Sequence, residues 1–153
     1  MDSEVGRIDD QILRMFEGDA WHGPSVTAAL SGVDAARAAA RPLPNAHSIW
    51  ELVLHMGVWM DIPRRRVSEG RAIEATRQED WPQPPEPTEE AWKQARENLQ
   101  RSYRSFRGWL SGLDVRRLEE TVPGRSHDLY TMLHGVVQHL AYHAGQISLL
   151  KKG

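Results

Sequence analysis

The chain has no cysteine among its 153 residues. Disulfides, thiolate metal ligands and a cysteine nucleophile are thereby excluded. It also lacks an excess of positive charge: 19 Lys and Arg stand against 21 Asp and Glu, for a formal net charge of −2. No broad basic field is available to recruit nucleic acid. The one basic run, Arg64-Arg65-Arg66, has no aromatics interleaved as base-stacking platforms and reads as a solvated helix face. Long apolar runs are missing too. No segment approaches the roughly 20 apolar residues that cross a bilayer, and Met1 to Asp10 carries five charges in place of the apolar stretch of a secretory signal. The expectation is a soluble cytoplasmic protein with neither a membrane nor a nucleic-acid partner. Alternating β-type runs, internal repeats and low-complexity tracts are absent as well, apart from the alanines around Ala38.

What is present is helical. About 40% hydrophobic and 26% charged residues make an ordinary globular balance, and the length suits one domain over residues 1–153. Val5, Ile8, Ile12, Leu13 and Phe16 recur at helical spacing until Gly18 breaks the pattern. Gly23-Pro24-Ser25 reads as a second start, with Pro24 near the first helical position, and Asp34 as the cap of a short alanine-rich turn ending before Pro42. The first third is thus a broken helix. Ser48-Ile49-Trp50-Glu51 has the capping-box pattern and opens a helix that aligns Leu52, His55, Trp59 and Ile62. Pro63 is expected to kink or end that helix locally, though Val67 could still belong to it. From about Gly70 to Pro87 the four prolines Pro82, Pro84, Pro85 and Pro87 indicate a long connection, either functional or mobile. Thr88 caps a third long helix with the apolar stripe Trp92, Ala95, Leu99, Tyr103, Phe106, Leu110. Asp114 can cap one more short turn. The last helix begins between Ser126 and Leu129 and runs almost to Lys151 and Lys152. The fold expected is all-α: a four-helix bundle with a broken N-terminal helix and a long Pro-rich connection between the second and third bundle helices.

Three of the seven histidines occupy unusual places. His139 and His143 are four residues apart, so both project from one side of the last helix. That spacing lets two imidazoles reach one metal ion. His55 lies in the apolar row of the earlier helix, and if the two faces meet in the core, three imidazoles converge. The alternative is three satisfied core histidines without a metal. No Glu follows His139 directly, so the metalloprotease motif and its general base are absent. His127 and His134 are off this row and read as surface or loop residues. Glu51 either closes the capping box or serves the site as a base or as a brace for His55. Gln146 either offers its amide to a substrate or ligand, or makes an ordinary interhelical hydrogen bond. Gly145 is expected to let another helix approach. Trp59 is either a pocket wall or a core aromatic, and His22 and His47, near helix starts, are outer candidates.

Three segments, Ala20-Trp21-His22-Gly23-Pro24-Ser25, His47 to His55 and His139 to Ile147, resemble the DinB/YfiT-like superfamily of bacterial helical bundles, and the resemblance covers most of the chain. It implies a metal triad of one histidine on the second bundle helix and a pair on the last, which falls on His55, His139 and His143. It further implies a metal-dependent enzyme, either a thiol S-transferase using a low-molecular-weight thiol or a hydrolase, acting on a small molecule, commonly as a homodimer. Zinc is the first choice of ion, with nickel, iron or manganese as alternatives. A metal-dependent ligand-binding protein without turnover and a purely structural bundle are the competing readings.

Overall fold

The computed structural model describes residues 3–153; Met1 and Asp2, the first of the charged N-terminal stretch, lie outside it. All its regular elements are helical, and the single isolated β-bridge pairs Thr121 with Asp128.

Four long helices form the bundle: α1 (Glu4–Glu17), α4 (Ile49–Ser68), α6 (Glu89–Leu110) and α7 (Leu129–Leu150). Between α1 and α4 lie two one-turn helices, α2 (Val26–Leu30) and α3 (Ala35–Ala39), which are the broken helix expected. Ser25 is the N-cap of α2, accepting from the Ala28 N–H, so Pro24 precedes the cap and does not enter the first turn. α4 is the central helix, packed on both α6 and α7, while α1 lies against α6 and α7 from the other side. The residues that define this arrangement are those with helical apolar spacing. Val5, Ile8, Ile12, Met15 and Phe16 of α1 are all buried, as are Trp92, Leu99, Tyr103, Phe106 and Leu110 of α6. Each such side chain contributes about 1.5–3 kcal/mol by leaving water, so the four stripes outweigh any local helix preference.

Polar contacts fix how α1 and α6 meet. Tyr103 stacks on Phe16 with ring centroids 3.9 Å apart and donates its hydroxyl proton to Glu17 at 2.9 Å. One turn on, Arg107 grips both carboxylate oxygens of Asp9 at 2.7 Å. Burial and Glu17 push the Tyr103 phenol up to about 12.

α4 starts as its sequence demands. The Ser48 hydroxyl accepts from the Glu51 N–H at 3.2 Å, and the Glu51 carboxylate accepts from the Ser48 N–H at 2.7 Å. Pro63 does not end the helix, which continues for another turn to Ser68; the ring is buried and only the donor to the Trp59 carbonyl is lost. The connection expected to be irregular holds a further one-turn helix, α5 (Arg77–Asp80), with its own capping box between Thr76 and Glu79. α5 folds back onto α4. A 3₁₀ turn (Val115–Glu119), capped by Asp114, and a tight turn at Pro123-Gly124 lead into α7. Gly124 has φ +75°, and a Cβ there would lie 2.5 Å from the Cβ of Ala72. Only glycine lets this turn sit directly on the start of the α4–α6 connection.

Candidate metal centre

α7 presents His139 and His143 one turn apart, and α4 presents His55 from across the bundle. Nε2 of His139 is 3.0 Å from Nε2 of His55 and 2.9 Å from Nε2 of His143. His55 and His143 are buried and His139 is partly so. The three make a group whose ligand atoms all lie within 4.8 Å of one another, able to hold a metal ion.

Two of the three rings are oriented by oxygen acceptors. Nδ1 of His55 donates to the backbone carbonyl of Asp80 at 2.8 Å and lies 3.1 Å from its carboxylate. A carbonyl can only accept, so this nitrogen carries the proton, and Nε2 of the neutral ring presents a lone pair. Nδ1 of His143 is 2.6 Å from Oε1 of Gln146, which selects the same tautomer. Nδ1 of His139 has no hydrogen-bond partner among the described residues.

All three rings are held neutral. Burial, reinforced by the proximity of His143 and His55, drives His139 down to about 3. Burial also lowers His55, with Asp80 opposing, and lowers His143, with Gln146 opposing. Three neutral imidazoles with two braced tautomers leave at most one proton for two N···N contacts. At least one contact then sets lone pair against lone pair near 3 Å. A cation between the nitrogens removes that repulsion. Around a tetrahedral ion with N at about 2.0–2.1 Å, neighbouring nitrogens stand about 3.3–3.4 Å apart, so a shift of a few tenths of an ångström suffices. The donor set therefore fits a divalent ion of the imidazole-preferring kind.

Around the triad lies a layer of aromatic and hydrogen-bonding side chains. Trp81, the residue after α5, stacks face to face on His55 at 3.8 Å, and His47 stacks on the other face of Trp81 at 3.5 Å. Trp59 donates its indole proton to Oδ1 of Asp80 at 2.6 Å. Beside His139 opens a groove of about 330 Å³, walled by Trp59, Arg66, His127, Thr131 and Val136 among others.

The model of the DinB superfamily matches residues 21–147. The chain belongs to the DinB superfamily. No curated protein and no solved structure matches it significantly. The DinB-type helical bundle expected is the one found, and His55, His139 and His143 make a group that could hold a metal ion.

Several finer expectations within this DinB-type bundle are decided or corrected. Glu51 is committed to the helix cap and to Arg41, whose guanidinium reaches it at 2.6 Å. Burial pushes its carboxyl up, but the Ser48 N–H, Arg41 and His47 together hold it below the ordinary range. It is thus no free base. Gln146 acts within its own helix, bracing a histidine, and makes no interhelical bond. Gly145 is exposed and an added Cβ would meet nothing, so it is not a close-approach point. Arg66 is not part of a solvated face: it is 4% exposed. His134 is half-buried: its Nε2 is shut off from solvent without a partner and its ring packs on Tyr130. His127 does lie in the loop before α7 but also lines the groove beside His139. Trp59 is a wall of that groove, His47 reaches the site through Trp81, and His22 is exposed.

Asp80 and Trp81 went unread, and Arg66 was read as solvated. The signal for the first two was the second capping box, Thr76 to Glu79, which marks ordered chain where the prolines suggest none. For Arg66 the signal was position, four and seven residues after Ile62 and Trp59 on the row that carries His55.

Proposed function

We propose that His55, His139 and His143 bind one divalent ion, with zinc ahead of nickel, iron or manganese, and that the site works as a metal-dependent enzyme on a small molecule. The observation that supports this reading is the convergence of three Nε2 atoms, with contacts of 2.9–3.0 Å through His139. Three protein ligands leave a coordination position open, as catalytic sites do. A divalent ion held there supplies Lewis acidity, so that a bound thiol or water ionises near neutrality.

The chain's own residues narrow the chemistry. Asp80 and Gln146 orient two of the imidazoles and hold their tautomers. Trp81 covers one face of His55 and Trp59 walls the approach, so water is partly excluded. The carboxylates nearest the triad already have partners: Glu51 closes the helix cap, and Oδ1 of Asp80 accepts from Trp59 and lies against Nδ1 of His55. A thiol, with an ordinary pKa near 8.5, needs far less help than water. Thiol S-transfer to an electrophile is therefore the first reading and hydrolysis the second. The non-catalytic alternative, a protein that binds a small ligand through the same ion, shares every ligand and differs only in turnover.

Elemental analysis of protein purified without an affinity tag, followed by a screen of low-molecular-weight thiols against activated aryl halides and epoxides, tests the proposal. One equivalent of metal and thiol consumption that stops on metal removal are expected. Absence of stoichiometric metal would sink the metal reading, and metal without turnover on any substrate would favour the ligand-binding alternative.

A further inference from the structure

Arg66 is a buried cation without a counter-ion. Its Nε donates to the Ile73 carbonyl at 2.9 Å, and its guanidinium carbon stands 5.5 Å from the centroid of the Trp59 ring. Its Nη2 is shut off from solvent and meets no acceptor. No carboxylate lies within ion-pair distance of it among the described residues. The nearest acidic influence, Glu74, is already taken by Arg125 at 2.7 Å, and that second arginine adds repulsion. A guanidinium does not lose its proton at any working pH, so burial here leaves an uncompensated charge, which is costly unless something pairs it.

The place of this charge is informative. Arg66 lines the groove that opens beside His139, with Trp59 and Val136 offering apolar surface and His127 and Thr131 offering polar edges. The groove's volume is at the low end of the roughly 300–1,000 Å³ typical of small-molecule sites. We infer that this groove is the substrate site and that Arg66 anchors a carboxylate of a small, otherwise apolar substrate whose reacting end faces the histidine triad. A single guanidinium balances a single negative charge, and Nη1, the one nitrogen neither bonded nor sealed, can give a carboxylate a charge-assisted hydrogen bond. A dianionic phosphate would call for further cations, and Arg125 is occupied. The inference rests on the proposed small-molecule activity and names the substrate class.

Benzoate and its neutral isostere benzamide are the probes, titrated calorimetrically into the zinc-loaded chain, the metal-stripped chain, and the Arg66→Met and Arg66→Gln variants. A charge-assisted pair predicts that benzoate binds at least about tenfold more tightly than benzamide. The preference should persist without metal, because the anchor is Arg66, and fall below about twofold in both variants. Methionine matches the arginine stem and removes a buried charge, so Arg66→Met should keep or raise Tm; a merely structural arginine would lower it and leave the preference intact. Equal affinity for the two probes, no benzoate binding, or a preference that survives Arg66→Met but vanishes on metal removal would each overturn the assignment. If neither variant folds, the two probes on the metal-stripped chain still decide. Elemental analysis of the same samples keeps the two ideas apart: an Arg66-dependent preference in a chain that takes up no zinc would spare this inference and end the metal proposal, and stoichiometric zinc without the preference would do the reverse.

Discussion

At the scale of single residues, the three histidines differ in how they are supported. His55 and His143 each have an oxygen behind the ring, while His139 has none. His139→Ala removes the nitrogen that lies between the other two and should abolish stoichiometric metal by elemental analysis while leaving the helical circular dichroism intact. Gln146→Leu keeps the ligand and removes only its brace; metal affinity should drop about tenfold, measured by competition with a chelator. An unchanged affinity would mean that packing alone orients His143. The histidine pair was legible in the sequence because four-residue spacing on a helix is a geometric statement. The braces were not equally legible. Gln146 stands three residues from His143 and could be suspected, whereas Asp80 reaches His55 only because α5 turns back on α4. Arg66 was hidden for another reason: a triple-arginine run averages to a solvated face, and the burial of one member depends on the connection after α4, whose Ile73 carbonyl it reaches.

At the scale of elements, the long helices were legible from their stripes and, for α4 and α6, from their caps, since Ser48 and Thr88 satisfy backbone donors that would otherwise be lost. Pro63 does not end α4 because a single missing donor costs less than the burial of Pro63 itself and of Val67 beyond it. The α4–α6 connection was the least legible element, its prolines masking a helix of one turn. Two substitutions test what that element does. Thr76→Ala removes one half of the α5 capping box, worth about 1 kcal/mol locally; faster amide exchange over residues 77–81 and weaker metal binding are expected. Normal metal affinity in this variant would show that α5 does not support the site. Gly124→Ala combines positive φ with a Cβ driven into Ala72, so unfolding by urea should show a loss of more than about 1 kcal/mol.

For the molecule as a whole, the neutral histidine cluster links stability to pH. His139 binds a proton near pH 6.5 when unfolded but only near 3 when folded. Between those values the unfolded chain takes up the proton and the folded chain refuses it. Stability of the metal-free protein therefore falls as pH drops from about 6.5 toward 3, and Tm scans across that window should show the decline. His139→Leu should flatten it. The chain should unfold in one transition if residues 1–153 form a single domain, as proposed. The homodimer that the family resemblance implies is measured directly by light scattering.

One contact carries a lesson for anyone who scans this loop by mutation. The acceptor behind His55 is main chain, so exchanging the Asp80 side chain leaves that oxygen in place. Alanine at this position would forfeit the carboxylate and the indole's partner, yet the imidazole would still find its mate. A tolerant position 80 should consequently not be taken as proof that the segment is idle. To expose its contribution the peptide itself has to be moved, for instance by shortening the loop, because an amino-acid exchange cannot delete an atom that every amino acid shares.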